Sequence, residues 1–516
     1  MITFFIALAC LILGYVFYGA FVAKLFGVDP ARETPVLRLH DGVDYMEIRP
    51  WRAFMIQLLN IAGLGPIFGA VLGAAYGPVA YLWIVLGCVF MGAAHDFFSG
   101  AISMRFDGCS LPELIGKTLG NGARRVLIPF SALMLLAIGI AFVSGPAGLL
   151  AQLSGTLSEV VPVEAVAEGG LVLPFAGTLS WTAIWTGAIV LYYVFAVLMP
   201  INKIIGRIYP IFSVTLIFMA LGVSGALLWK TATGALEMPE LTFSALRNFH
   251  ADAGANPLFP MLFVVISCGA ISGFHATQSP MMARCLKSER HARPVFYGGM
   301  IAEGVMALIW ASAAIAYCGG AEGLNAAAQA GKTPAVIVNA ICTDWLGAVG
   351  AVAAILGVIV CPITSGDTAL RSVRLIAADA LGVSQKPLLN RVLVSLPIFG
   401  VALALSQISF DVIWRYVGVG NQTLAALTLW ACATWLARER RTHWPLSVPA
   451  AFLSAVCATY FLNAPHKLGG LALGYDVSLL AGTLFACALL AFFVLRVRAG
   501  TPPTPPAAAP DGTESR

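Results

Sequence analysis

Four ionisable residues stand where an apolar chain has least room for them. His95 and Asp96 precede Arg105 by ten and nine residues in a run of otherwise apolar or small residues; Glu303 follows Arg293 by ten in another. At the helical rise, each carboxylate would lie roughly 13–15 Å inside the basic edge of its run. An ionisable group at that depth in lipid costs at least about 2.5–3.5 kcal/mol on insertion scales, so each needs a reason. Binding a proton or pairing with a substrate group is one reason; being satisfied by donors on neighbouring helices is the other. His275, in a third apolar run, titrates near neutral pH when unperturbed. It joins His95, Asp96 and Glu303 as a candidate for proton handling, with a hydrogen-bonded structural role as the alternative.

Two runs are interrupted in their middles. One reads Asn60-Ile61-Ala62-Gly63-Leu64-Gly65-Pro66, the other Ser267-Cys268-Gly269-Ala270-Ile271-Ser272-Gly273. Proline removes a helical hydrogen bond, and glycines lower the cost of unwinding. Irregular backbone at membrane depth is tolerated where it is buried in protein or lines a wet cavity. Freed N–H groups and half-helix N-termini would suit a carboxylate there. Asn60, Gly63, Gly65, Pro66, Gly269, Ser272 and Gly273 are therefore candidate substrate-binding residues, against the alternative that small residues merely let helices pack closely. Asn421 and Gln422, about ten residues into a later run, join them; interhelical hydrogen bonding is their alternative. Thr364, Ser365 and Asp367 follow Pro362 at the expected end of a span and could give hard oxygen ligands to a small cation. Asp367 could instead pair with Arg371 one turn on.

The composition says what must position these groups. Of 516 residues, 59% are hydrophobic and 11% charged, and mean hydropathy is +0.87. Soluble domains carry about 25% charged residues. Runs long enough for a bilayer core of about 30 Å fall at 2–23, 53–76, 78–104, 126–153, 181–200, 208–229, 258–280, 295–318, 347–370, 392–409, 412–436, 445–463 and 475–495. The expectation is an all-α polytopic membrane protein with about 13 transmembrane helices forming one domain, 1–498. A disordered tail would follow at 499–516. The first run lacks a basic leading segment and is too long for a cleavable signal. With the N-terminus outside and the C-terminus inside, all but Lys230, Arg247, Lys332, Arg415 and Lys467 of the 30 Lys and Arg fall on the cytoplasmic side, as the positive-inside rule requires.

The interrupted runs are the second and seventh. Spans 2–6 (53–229) and 7–11 (258–436) thus form candidate repeats, and five spans per half makes the repeats inverted. Matching broken spans are the best sequence pointer to a carrier's substrate site. Spans 3 and 8 then each contribute one buried carboxylate, Asp96 and Glu303. The 11 cysteines contain no CxxC pair, so neither a disulfide framework nor a metal site is signalled. Gly116-Lys117-Thr118 and Gly331-Lys332-Thr333 lack the earlier glycine of a phosphate-binding loop. No catalytic constellation, cofactor motif or nucleic-acid-binding pattern is expected.

Several segments together resemble the carbon starvation protein A family (CstA) of bacterial inner-membrane carriers. They include Asp41-Gly42-Val43-Asp44-Tyr45, Ile61-Ala62-Gly63-Leu64-Gly65-Pro66-Ile67, Gly92-Ala93-Ala94-His95-Asp96-Phe97, Gly269-Ala270-Ile271-Ser272-Gly273-Phe274-His275-Ala276 and Gly420-Asn421-Gln422. The resemblance implies an amino acid–polyamine–organocation-type secondary transporter with a leucine-transporter-like (LeuT-like) 5+5 core. It also implies a link to carbon starvation and peptide or pyruvate substrates, the latter with proton coupling in some members. Ser279-Pro280-Met281-Met282 departs from the family's more usual Ser-Gly-Thr-Thr. The expected function is import of a small nutrient coupled to H+ or Na+. A membrane nutrient sensor without net transport is the alternative.

Overall fold

The computed structural model describes residues 1–42, 44–160, 166–167, 170–173, 177–198, 201–385, 387–405 and 410–500. The tail expected over 499–516 lies, from 501 onward, outside them. The described chain is overwhelmingly helical. Among the described residues, ten helices are long and apolar enough to cross a membrane, or eleven if the bent pair Pro50–Ala62 and Gly65–Ala74 is one span. Two of the thirteen expected runs are not among these. The run at 258–280 is divided between Leu258–Val265 (8 residues) and Gly273–Ala283 (11 residues), each far short of the roughly 20 residues a crossing takes. The run at 412–436 lies inside Phe410–Arg438, a continuous 29-residue helix whose apolar sequence includes the polar Arg415, Asn421 and Gln422.

Three short strands, Val166–Ala167, Gly170–Leu173 and Gly177–Ser180, form an antiparallel sheet between spans 4 and 5. The helical reading did not anticipate them; Leu171 faces Leu179 in the register. Span 9 also differs from its expected bounds. Its helix runs Pro334–Leu381 across a kink at Gly347, and the segment fit to cross a membrane is Gly350–Leu381. Thr364, Ser365 and Asp367 therefore sit well inside a helix rather than at its end. Pro362 forfeits one donor but does not stop the helix, because neighbouring helices enclose it.

Both breaks exist. In span 2 the helix Pro50–Ala62 stops at Gly63, whose φ of 41° and ψ of −143° suit a residue without Cβ. The chain resumes through a π-helical turn, Gly65–Gly69, at an angle of 56°. In span 7 the helix is lost after Val265 and restarts at Gly273. The two breaks touch: a Cβ on Gly65 would stand 2.1 Å from Cys268 Cβ. At the basic ends of the helices, Glu289 accepts from Arg105 at 2.9 and 3.1 Å and from Asp29 N–H at 2.9 Å. That ties spans 3 and 8 to the loop after span 1.

Candidate functional site

The four ionisable residues converge. Asp96, fully enclosed on the span 3 helix Ala93–Arg105, faces two imidazoles. Its Oδ1 lies 2.8 Å from His95 Nδ1 and its Oδ2 lies 2.9 Å from His275 Nδ1. The other ring nitrogen of His275, Nε2, lies 3.4 Å from Glu303 Oε2, within ion-pair distance though without hydrogen-bond alignment. All four side chains are 0% exposed. The order is His95–Asp96–His275–Glu303, contributed by span 3, the second half of span 7, and span 8. His275 can reach both carboxylates because it lies in the first turn of the half-helix that begins at Gly273. Sequence depth singled out each residue; that one imidazole bridges two carboxylates depends on packing between distant segments.

The backbone groups released by the span 7 break are taken up by side chains. Phe274 N–H donates to Asn421 Oδ1 at 3.2 Å. The carbonyl of Phe263 accepts from Gln422 Nε2, and that of Ile266 accepts from Trp83 Nε1 at 2.8 Å. Asn421 and Gln422 thus cap opposite sides of one break, which buried polar backbone requires. Of the two roles open to these amides, substrate binding and interhelical hydrogen bonding, these contacts are of the second kind, and they leave fewer freed N–H groups for a carboxylate than the sequence implied.

The remaining substrate candidates are enclosed. Asn60 and Ser272 are 0% exposed, and neither atom of the Asn60 amide has a hydrogen-bond partner. Gly65, Pro66, Gly269 and Gly273 are buried where the breaks and span 11 press together; a Cβ on Gly273 would meet Leu424 Cβ at 2.2 Å. Close approach is thus what Gly65 and Gly273 supply in this conformation. Open space lies beside the breaks. A cavity of about 330 Å³ is lined by Ser267, Cys268 and Asn421 at one end and by loop residues His250 and Asn256 at the other. Of the nine substrate candidates, Asn421 lines it. A larger groove of about 900 Å³ between spans 11, 12 and 13 is almost wholly apolar and lies apart from this chemistry.

The cation candidates separate. Ser365 Oγ donates to Leu59 O at 2.8 Å, bringing a span 9 hydroxyl to the last turn before the span 2 break. Thr364 Oγ1 donates within its own helix, to Cys361 O at 2.8 Å. Asp367 belongs to another cluster, its Oδ2 accepting from Tyr209 at 2.6 Å and Tyr192 at 2.8 Å. Sequence reading missed those tyrosines, and no spacing signal could have paired them with Asp367. It also missed Arg415 as a cavity residue; its place among the few basic residues on the minority side was the available signal.

A bundle of apolar helices with two apposed broken spans, a buried titratable cluster and a side cavity is the architecture of a membrane transporter. Its fold matches the manganese transporter of Eremococcus coleocola with a TM-score of 0.51 at 13% identity, covering 89% of this chain and 99% of that one. The sequence profile of the family described as carbon starvation protein CstA matches residues 1–175 and 160–351, and the chain belongs to that family. An uncharacterised membrane protein of Haemophilus influenzae is 42% identical over 358 residues, 64% of this chain and 95% of that protein. The peptide transporter CstA of Escherichia coli is 29% identical over 573 residues, covering 87% of this chain and 79% of the relative. The pyruvate/proton symporter BtsT of the same organism is 29% identical over 347 residues, 58% of this chain and 47% of the relative.

Proposed function

We propose that the protein is a secondary carrier that imports a small organic nutrient, a peptide or a pyruvate-like carboxylate, across the bacterial inner membrane by cation-coupled alternating access. The observation that carries this reading is the enclosed chain His95–Asp96–His275–Glu303. Two carboxylates shut away from water repel unless a proton or cation stands between them, and His275 occupies that place. Because His275 rides on the second half of a broken span, gaining or losing a proton changes how firmly that half-helix is held to spans 3 and 8. Proton binding then biases a structural equilibrium, which is what coupling requires. Relatives named for peptide transport and for pyruvate/proton symport support the same reading.

The membrane arrangement belongs to the proposal: thirteen spans, N-terminus outside, C-terminus inside, with 53–229 and 258–436 as inverted repeats and one bundle of helices rocking against a scaffold around the breaks. A sodium ion at Ser365 is a second coupling route, supported by the contact of its hydroxyl with Leu59 O. Purified protein in liposomes tests the carrier reading. Labelled pyruvate or dialanine should accumulate under an imposed pH or sodium gradient; saturable binding without accumulation would favour a nutrient sensor instead.

A further inference from the structure

The cavity beside span 7 holds a charge that the buried cluster does not use. Arg415 lines it from the span 11 helix, exposed to the open space, and forms no ion pair with a described residue. Trp414, Gly418 and Asn421 share one helical face on the same wall, at intervals of four and three residues, with Arg415 beside it. The six residue steps from Arg415 to Asn421, which caps the span 7 break, span roughly 9 Å at 1.5 Å per residue. Tyr76 and Phe274 are among the aromatic side chains on the walls, and among the described residues no carboxylate lines the space.

Arg415 is charged at any physiological pH. His250, the other basic side chain on the cavity, lies in the loop before span 7, and burial lowers the pKa of its imidazole, which disfavours its charged form. The loop that carries His250 is fixed rather than loose. Asn325 Nδ2 donates to Phe249 O at 3.0 Å and to Ala75 O at 2.9 Å, and its Oδ1 accepts from Ala251 N–H at 3.0 Å. The cavity therefore presents one positive charge, a cap amide and apolar walls. Its volume falls at the small end of ligand pockets, which run from about 300 to 1,000 Å³.

We propose that Arg415 is the anion-reading residue of this cavity, taking the carboxylate of a small organic monoanion in its guanidinium fork and turning away zwitterions and cations. A carboxylate gains two parallel charge-assisted hydrogen bonds from arginine. An ammonium group on the same ligand meets like charge and finds no described carboxylate to pair with. Faces of Tyr76 and Phe274 offer it a cation–π contact, a weaker substitute. The inference rests on the carrier reading and narrows its substrate to the pyruvate-like class.

The test uses the full chain in liposomes, with labelled pyruvate as the monoanion and dialanine as the zwitterion. Arg415→Gln should raise KM for pyruvate by at least about tenfold, the loss expected for a hydrogen-bonded charge, while the maximal rate changes by less than about twofold. Arg415→Lys, which keeps the charge but not the fork, should fall between. Unlabelled lactate should compete with pyruvate, and dialanine should not. If KM is unchanged in Arg415→Gln, or if dialanine competes as well as lactate, the inference is overturned and the carrier reading stands. If wild-type liposomes accumulate neither probe under any imposed gradient, the carrier reading itself is overturned, and this inference with it.

Discussion

Asn421 and Ser365 show how far a single residue can be understood from its type. A buried amide in a membrane helix must find partners, and Asn421 finds the Phe274 N–H at the start of a half-helix. Removing the acceptor leaves that donor buried and unpaired, a cost of about 1–3 kcal/mol. Asn421→Ala should therefore lower the unfolding temperature in detergent, whereas Asn421→Asp, which retains an oxygen in place, should lower it less; equal loss in both would remove the cap from the explanation. Ser365→Ala combined with Thr364→Ala should raise the sodium concentration needed for half-maximal uptake if sodium is the coupling ion. An unchanged sodium dependence would remove that site. Depth along the chain was enough to single out Asp96, His275 and Glu303, because burial of a charge is expensive wherever the helix packs. Which of them touch was not legible, since Asp96 and His275 are separated by 179 positions and meet through tertiary packing alone. Asp367 was misread as a helix-end group for the same reason: its partners, Tyr192 and Tyr209, belong to two other helices.

The two broken spans act as one element. Proline and glycine gave away both interruptions in the sequence, and their parallel placement suggested a shared site. Contact was the part that sequence could not supply: Gly65 and Cys268 approach so closely that no side chain fits between them. Overpacking such a contact costs about 1–3 kcal/mol. Gly65→Ala should reduce uptake and thermal stability together, and the double variant Gly65→Ala with Cys268→Gly should recover part of both. Wild-type behaviour in Gly65→Ala would show that the breaks do not need this approach. The long helix Pro334–Leu381 teaches the opposite lesson. Pro362 marked the expected end of the span, yet the helix passes through it, because packed neighbours outweigh local propensity.

At the scale of the whole molecule, scarcity of charge foretold a membrane protein, and the helical bundle and its transporter fold agree. The small sheet at 166–180 was invisible to hydropathy, since its strands are two to four residues long. The proposed orientation rests on the distribution of basic residues. A fluorescent protein fused to the C-terminus should fluoresce and a periplasmic phosphatase fused there should stay silent; the reverse pattern would overturn the topology. In the proposed carrier, coupling is a property of the whole molecule as well, because a proton held by His275, Asp96 and Glu303 would have to change which side the cavity opens to. The most direct measurement is proton entry into liposomes loaded with a pH-sensitive dye, recorded when pyruvate or dialanine is added outside. The buried cluster predicts substrate-dependent acidification in the wild type that is lost in Asp96→Asn and Glu303→Gln, with both variants reconstituted at normal levels. Substrate accumulation without acidification in the wild type, or acidification undiminished in both variants, would contradict a proton-coupled carrier built on these residues.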